Sequence, residues 1–195
     1  MTIGLGVWLG MSRNAFRNLP IVGVEDGSFR KGITRRALLA AVLFKGLEIE
    51  NINITKIAVD GMDATEKLAE VLNEWEFATV MLAGVSFAGF NIIDPTVIHE
   101  KFEKPVIIVT RTKPDNKAVH QALQRHFKDW RIRWKLFEKL GSFHKVAVLA
   151  DEPPIYIETI GVDVKWARKL IRALAVCGRV PEPIRVARLI ARGLS

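Results

Sequence analysis

The sequence predicts an α/β fold, one mixed sheet with helices on its faces, and three observations carry that prediction. Apolar runs at residues 21–24, 36–45 and 52–59 are joined by connections too short for a crossover helix, so they form an antiparallel meander. Farther on, residues 79–84 and 105–110 are apolar without alternation, as strands buried on both faces are, and a helical segment separates them. Finally, 195 residues with 49% hydrophobic content suffice for one packed core. One domain over 1–195 is expected, with residues 1–19 as an N-terminal extension.

In chain order, Ile21, Val22 and Val24 make a first strand that Glu25-Asp26-Gly27 stops with charge and a turn former. Residues 36–45 run apolar to Gly46 as strand two; residues 52–59 alternate Ile52, Ile54 and Ile57 with polar neighbours as strand three. A helix begins at about Asp63, with Leu68, Val71, Leu72 and Trp75 on one side. Strand four, at 79–84, is expected to pair in parallel with 105–110 across a helix starting at Asp94-Pro95. A helix from about Asn116, continued or resumed through 130–140, precedes a strand at 145–149. After the breaker Asp151-Glu152-Pro153-Pro154, Tyr156-Ile157 is extended, Asp163 opens a helix to about Ala175, and Pro181 to Pro183 sets off a last helix to Arg192. This order of antiparallel strands, then parallel strands joined by helices, matches the ribonuclease H-like arrangement. There, acids from the first strand, the first helix and the end of strand four meet at one rim, so Glu25, Asp63 and the residue after Leu82 are expected together.

Composition narrows the chemistry. The single cysteine, Cys177, excludes an intrachain disulfide and a cysteine-based zinc site, and His99, His120, His126 and His144 show no metal-binding spacing. No window approaches the roughly 18 apolar residues of a membrane span, and residues 1–10 lack the basic start of a signal peptide, so a cytoplasmic protein is expected. The net charge of +8 points to a polyanionic partner. It is unevenly placed: residues 1–127 hold 15 Lys and Arg against 14 Asp and Glu, residues 128–195 hold 14 against 7.

Adjacent acids at a strand end, Glu25 and Asp26, are a candidate metal or acid/base site, with a solvated hairpin turn as the plainer alternative. Asp63, with Glu66 three residues on, has capping-box spacing; Asp94, Asp115 and Asp163 also look like helix N-caps. The stretch Gly84-Val-Ser-Phe-Ala-Gly-Phe-Asn91 lacks the Gly-Lys-Ser/Thr of a phosphate loop. Phe87, Phe90 and Asn91 either line a pocket for a planar base or pack beneath the loop. Arg111 and Lys113, just past the fifth strand, are candidate phosphate ligands. Phe127, Trp130, Trp134 and Phe137 follow helical spacing and read as a core-facing stripe. Lys165, Arg168, Lys169 and Arg172 share one helix face, and Arg185, Arg188 and Arg192 repeat the arrangement on the last helix, two basic stripes suited to a phosphate backbone.

Four stretches, Val22-Gly-Val-Glu-Asp-Gly-Ser-Phe29, Val59-Asp-Gly-Met-Asp-Ala-Thr65, the 84–91 loop and Pro181-Glu-Pro-Ile-Arg-Val-Ala187, together resemble an archaeal family that bears the name endonuclease dU. The resemblance covers nearly the whole chain from Pro20, and that family looks like a distant relative of endonuclease V, a Mg²⁺-dependent enzyme nicking strands near deaminated bases. It implies a repair endonuclease for deoxyuridine that acts on nucleic acid, DNA above RNA, with Mg²⁺ or Mn²⁺ held by Glu25, Asp26 and Asp63; Asp60 is a weaker substitute. Where endonuclease V carries an Asp before Gly, this chain has Ala83-Gly84, and the side chain of Ala83 is expected to face Glu25. A catalytically impaired nucleic-acid-binding protein of the same fold is the alternative that Ala83 favours.

Overall fold

A computed structural model of the chain describes residues 15, 16 and 18–195; most of the N-terminal extension lies outside them. The first three strands are β1 (Pro20–Asp26), β2 (Arg36–Lys45) and β3 (Glu48–Ala58). Helix α1 (Ala64–Leu72) leads to β4 (Thr79–Leu82), a two-residue ladder of β5 (Ser86–Phe87) and β6 (Asn91–Ile92), α2 (Pro95–Phe102) and β7 (Val106–Thr110). The remainder is α3 (Asn116–His126), α4 (Trp130–Glu138), β8 (His144–Val146), β9 (Ile155–Ile160), α5 (Val164–Leu174) and α6 (Glu182–Gly193).

Seven strands form one mixed sheet in the order β3-β2-β1-β4-β7-β9-β8. The expected meander is present: β1 pairs antiparallel with β2, and β2 with β3. The expected parallel run is present too, β1 with β4 and β4 with β7. Strands β9 and β8 extend the sheet antiparallel beyond β7. Their pairing was not readable from the sequence, because short apolar runs carry no direction. The helical stretch from Asn116 resumes rather than continues, since the backbone is extended at Phe127.

Alternation along β1 sends Val22 and Val24 into a core with α1 and the 84–91 loop, and Ile21 into a second core with α5. The aromatic stripe of α4 packs as expected, Phe137 buried and Trp130 and Trp134 against the first core. On the second face, α6 crosses β1 where Gly23 leaves room: a Cβ there would stand 2.1 Å from the Pro183 carbonyl carbon. At its far end, a Cβ on Gly27 would meet the Ala191 carbonyl oxygen at 2.7 Å. These two glycines let a helix lie directly on a strand. Two expected caps hold: Asp94 accepts from the Thr96 amide and Asp115 from the Ala118 amide. Asp63 and Asp163 flank helices without capping them through their side chains.

Candidate active site at the carboxyl rim of the sheet

Parallel pairing sets Val24 beside Leu82 and Leu82 beside Ile108, and the Ala83 amide donates to the Val24 carbonyl over 3.1 Å. One residue farther, Glu25, Ala83 and Val109 therefore stand in a row on the face that α6 covers. They line a cavity of about 230 Å³ with Thr110, Arg111, Val180, Ile184 and Arg188. Ala83 thus faces the site of Glu25, as the sequence implied. Ligand sites favour this location, outside the carboxyl ends of parallel strands.

Among the described residues Glu25 is the sole acid lining the cavity, and its side chain is largely buried. Burial above all, together with the charge of Asp26 and a hydrogen bond between the two carboxyls, raises its pKa to about 8 against the pull of Arg188. Arg188 reaches the cavity one turn after Ile184, so the fit of Pro183 onto Gly23 sets its position. Its neighbour Arg185 is committed elsewhere, forking onto Glu182 at 2.8 and 2.7 Å. Arg111 enters from the end of β7, and Arg179 fixes that turn by donating to the carbonyls of Arg111, Pro153 and Pro154. Among the described residues, neither Arg111 nor Arg188 is drawn into an ion pair.

The other expected acids have different partners. Asp26 does not line the cavity, and one of its carboxylate oxygens accepts from the Ala88 amide. Asp63 accepts from the Ala58 amide at 3.0 Å and from the Asn91 side chain, and faces Arg36 at 3.4 Å. Burial alone pushes its pKa up, but the hydrogen bonds from Asn91 and Ala58, with the Arg36 charge, hold it below the ordinary value. Among the described residues no three His, Cys, Asp or Glu side chains are grouped to hold a metal ion. The expected three-carboxylate cluster of Glu25, Asp26 and Asp63 is therefore reduced to Glu25 with Asp26. Asp63 is tied into the start of α1 because Asn91 bridges it there.

The 84–91 loop corrects a second expectation. Phe87 is fully buried in the first core, so it packs rather than receives a base. Asn91 is fully buried as well: its side-chain oxygen accepts from the Ala64 amide, and its nitrogen donates to the Ala58 carbonyl. It does the capping expected of Asp63. Phe90 stays half-buried, edge-on to Phe127 at 5.4 Å. Arg133, buried and paired with Asp129, donates to the carbonyls of Gly61 and Phe90 and staples this loop. Asp60 holds the loop from below, accepting from the Phe90 amide. The Asp129/Arg133 spacing of four was the only sign of that staple in the sequence. Gly84 has φ of 99° and open space where a side chain would stand.

The basic stripes are partly structural. Arg168 donates to the Lys145 carbonyl, and Arg172 donates to the Ala147 carbonyl at 3.2 and 3.1 Å, so both cover the backbone at and just past β8. Lys113, Lys165, Lys169 and Arg192 are exposed. A larger hollow of about 500 Å³ beside α5 is lined, among the described residues, by Phe16, Val148, Leu149, Lys169, Arg172, Ala173 and Ala175, none of them acidic.

Known proteins share the sequence family and the fold. The endonuclease dU family matches residues 17–195. A UPF0215 protein of Methanothermobacter thermautotrophicus is 32% identical over 96% of this chain and 95% of its own. The crystal structure of a protein of unknown function from Archaeoglobus fulgidus superposes with a TM-score of 0.79 at 29% identity, covering 90% of this chain and 98% of that one. Endonuclease V from Ciona intestinalis, solved with DNA containing an inosine, shares the fold at a TM-score of 0.57 and 14% identity, over 86% of this chain and 81% of that one. The sheet order is thus the ribonuclease H-like one expected from the sequence. By the extent of the family match and the identity of its relatives, the chain belongs to the endonuclease dU family.

Proposed function

We propose that the chain is a nucleic-acid endonuclease whose reaction centre is the Glu25 cavity, and that it cuts strands containing deaminated bases, deoxyuridine first. One observation carries the reading: a buried carboxylate shares a rim cavity with two guanidinium groups that form no ion pair among the described residues. Guanidinium forks match the non-bridging oxygens of a phosphodiester, and a carboxylate beside them matches the attacking water or a cation. The family name and the endonuclease V fold support the same class of reaction.

The donor set fits one divalent ion. Glu25 and Asp26 offer hard oxygens close enough to share a proton, and a single Mg²⁺ or Mn²⁺ keeps several waters in its remaining positions. Asp63, held by Asn91 and Ala58, stands outside that set. When bound, the ion supplies a Lewis acid that makes water nucleophilic near neutral pH. The chain's own groups do the rest: Arg111 and Arg188 grip and orient the phosphate, Val109, Val180 and Ile184 dry one wall, and Glu25 orients the attacking water. Phe90 and Gly84 are the loop positions left for a displaced base. Lys113, Lys165, Lys169 and Arg192 extend the phosphate track over the surface.

The reading without cleavage keeps one specific support, Ala83 beside Glu25. Labelled uracil- and hypoxanthine-containing strands, incubated with and without Mg²⁺ or Mn²⁺, separate the two. Metal-dependent nicking of the uracil strand is expected; tight binding with an intact strand under every condition establishes the binding protein instead.

A further inference from the structure

We propose that the chain forms a two-fold dimer in which the outermost strand, β3, pairs antiparallel with β3 of a second copy. The strand is eleven residues long and, among the described residues, has a neighbour on one side only. Such an edge presents backbone donors and acceptors to another strand, with the Ala58 amide already held by Asp63 and the Lys56 carbonyl by Arg36 at its C-terminal end. Their direction is readable. The Val59 amide donates to Arg35 in the continuing β2–β3 register, so odd-numbered residues of the 51–59 stretch face β2 and even-numbered ones face outward. Consistently, the Ile52 amide donates to the Asn51 side-chain oxygen instead of to β2.

The side chains point to the same partner. Ile49, Ile52 and Ile54 are 47%, 43% and 39% exposed, an apolar row on a strand whose opposite face carries Asn51, Asn53 and Thr55. By register they share a face with Phe44, Val42 and Ala40, and α6 packs on that face while leaving Leu189 exposed. Pairing β3 with itself about Asn53, the midpoint of Glu48–Ala58, centres the contact on residues 50–56, between the register shift that leaves Glu50 without a partner in β2 and the Ala58 amide held by Asp63. It sets Ile52 opposite Ile54 of the other copy, both with outward-facing backbone groups, and Glu50 opposite Lys56, twice over by symmetry. Sliding by two residues sets Glu50 against Ile54 or Lys56 against Ile52, so charge and apolar pattern choose the same register. The dyad stands perpendicular to the joined sheet. Both Glu25 cavities then lie on one face, five strand spacings or about 24 Å apart, related as the two strands of a duplex are.

Sedimentation equilibrium of the full chain at micromolar concentration tests this. Twice the 21.9 kDa mass is expected, with slow amide exchange at Ile52 and Ile54. Lys56→Glu and Glu50→Lys, each placing like charges opposite, should weaken the dimer by about tenfold or more. The double reversal should restore it, circular dichroism confirming that all variants are folded. A monomeric wild type overturns the proposal, whether or not its edge amides are protected. So does a dimer indifferent to both single reversals, or one that the double reversal fails to restore. None of these changes touches the Glu25 cavity, so failure here leaves the endonuclease reading standing, and failure of that reading leaves the dimer standing.

Discussion

Glu25 concentrates the conflict between stability and chemistry. Its proton affinity is raised from 4.5 to about 8, so the folded state holds the proton more tightly than the unfolded chain does. The stabilisation from that proton is complete below about pH 4.5 and is lost as the pH climbs through 8. At neutral pH the site therefore costs about 3 kcal/mol. Glu25→Gln should raise the melting temperature at pH 8 and leave it nearly unchanged at pH 4, as scanning calorimetry would read. Ala83→Asp, in the adjacent row position, adds a hard-oxygen donor beside Glu25. It should raise Mn²⁺ affinity in a calorimetric titration and increase cleavage; no change in either, with the fold intact, removes the parallel with endonuclease V at this position. Glu158 makes a separate test away from the site. It is 6% exposed, one oxygen accepts from the Gly141 amide, the other has no partner among the described residues, and burial raises its pKa against the pull of His144. The same sign applies, so Glu158→Gln should stabilise the protein more at neutral pH than in acid.

The elements were legible where periodicity is unambiguous and obscure where a residue distant in sequence decides. The meander, the parallel pair and the amphipathic α5 and α6 follow from residue spacing alone. What spacing could not show is that Asn91, 27 residues on, would take the capping of α1 from Asp63, or that Arg168 and Arg172 would spend hydrogen bonds on the β8 end. The docking of α6 was hidden for the same reason: Gly23 reads as a weak point in a strand until Pro183 is seen lying on it. Gly23→Ala forces the helix off the strand, with an expected loss of about 3 kcal/mol in denaturant unfolding. Because α6 carries Arg188, cleavage should fall further than the lost stability explains. For the basic face, Lys165 and Lys169 are better probes than the two arginines. Reversing both to Glu should weaken binding to all sequences alike and flatten the salt dependence by roughly 0.7–0.9 for each phosphate left without its lysine.

At the scale of the whole molecule, the sheet sorts the charged residues by face and by end. The carboxyl rim gathers Glu25, Arg111 and Arg188 in one cavity, and the basic excess of the last third lies on the helices beside and beyond it. The fold class was therefore readable from order and composition, and so was the rim that brings Glu25 and Ala83 together. The membership of the site was not, because adjacent residues on a strand have different surroundings: Glu25 lines the cavity, whereas Asp26, though beside it, gives an oxygen to the Ala88 amide under the loop. The central claim is that the Glu25 cavity performs strand cleavage, and one comparison tests it most directly. A labelled uracil-containing strand, saturated with wild type or Glu25→Gln protein in Mn²⁺, is followed for nicking and for binding. The account predicts that Glu25→Gln loses cleavage by about a hundredfold or more while its strand affinity stays within a few-fold of wild type; equal cleavage by the two proteins would contradict it.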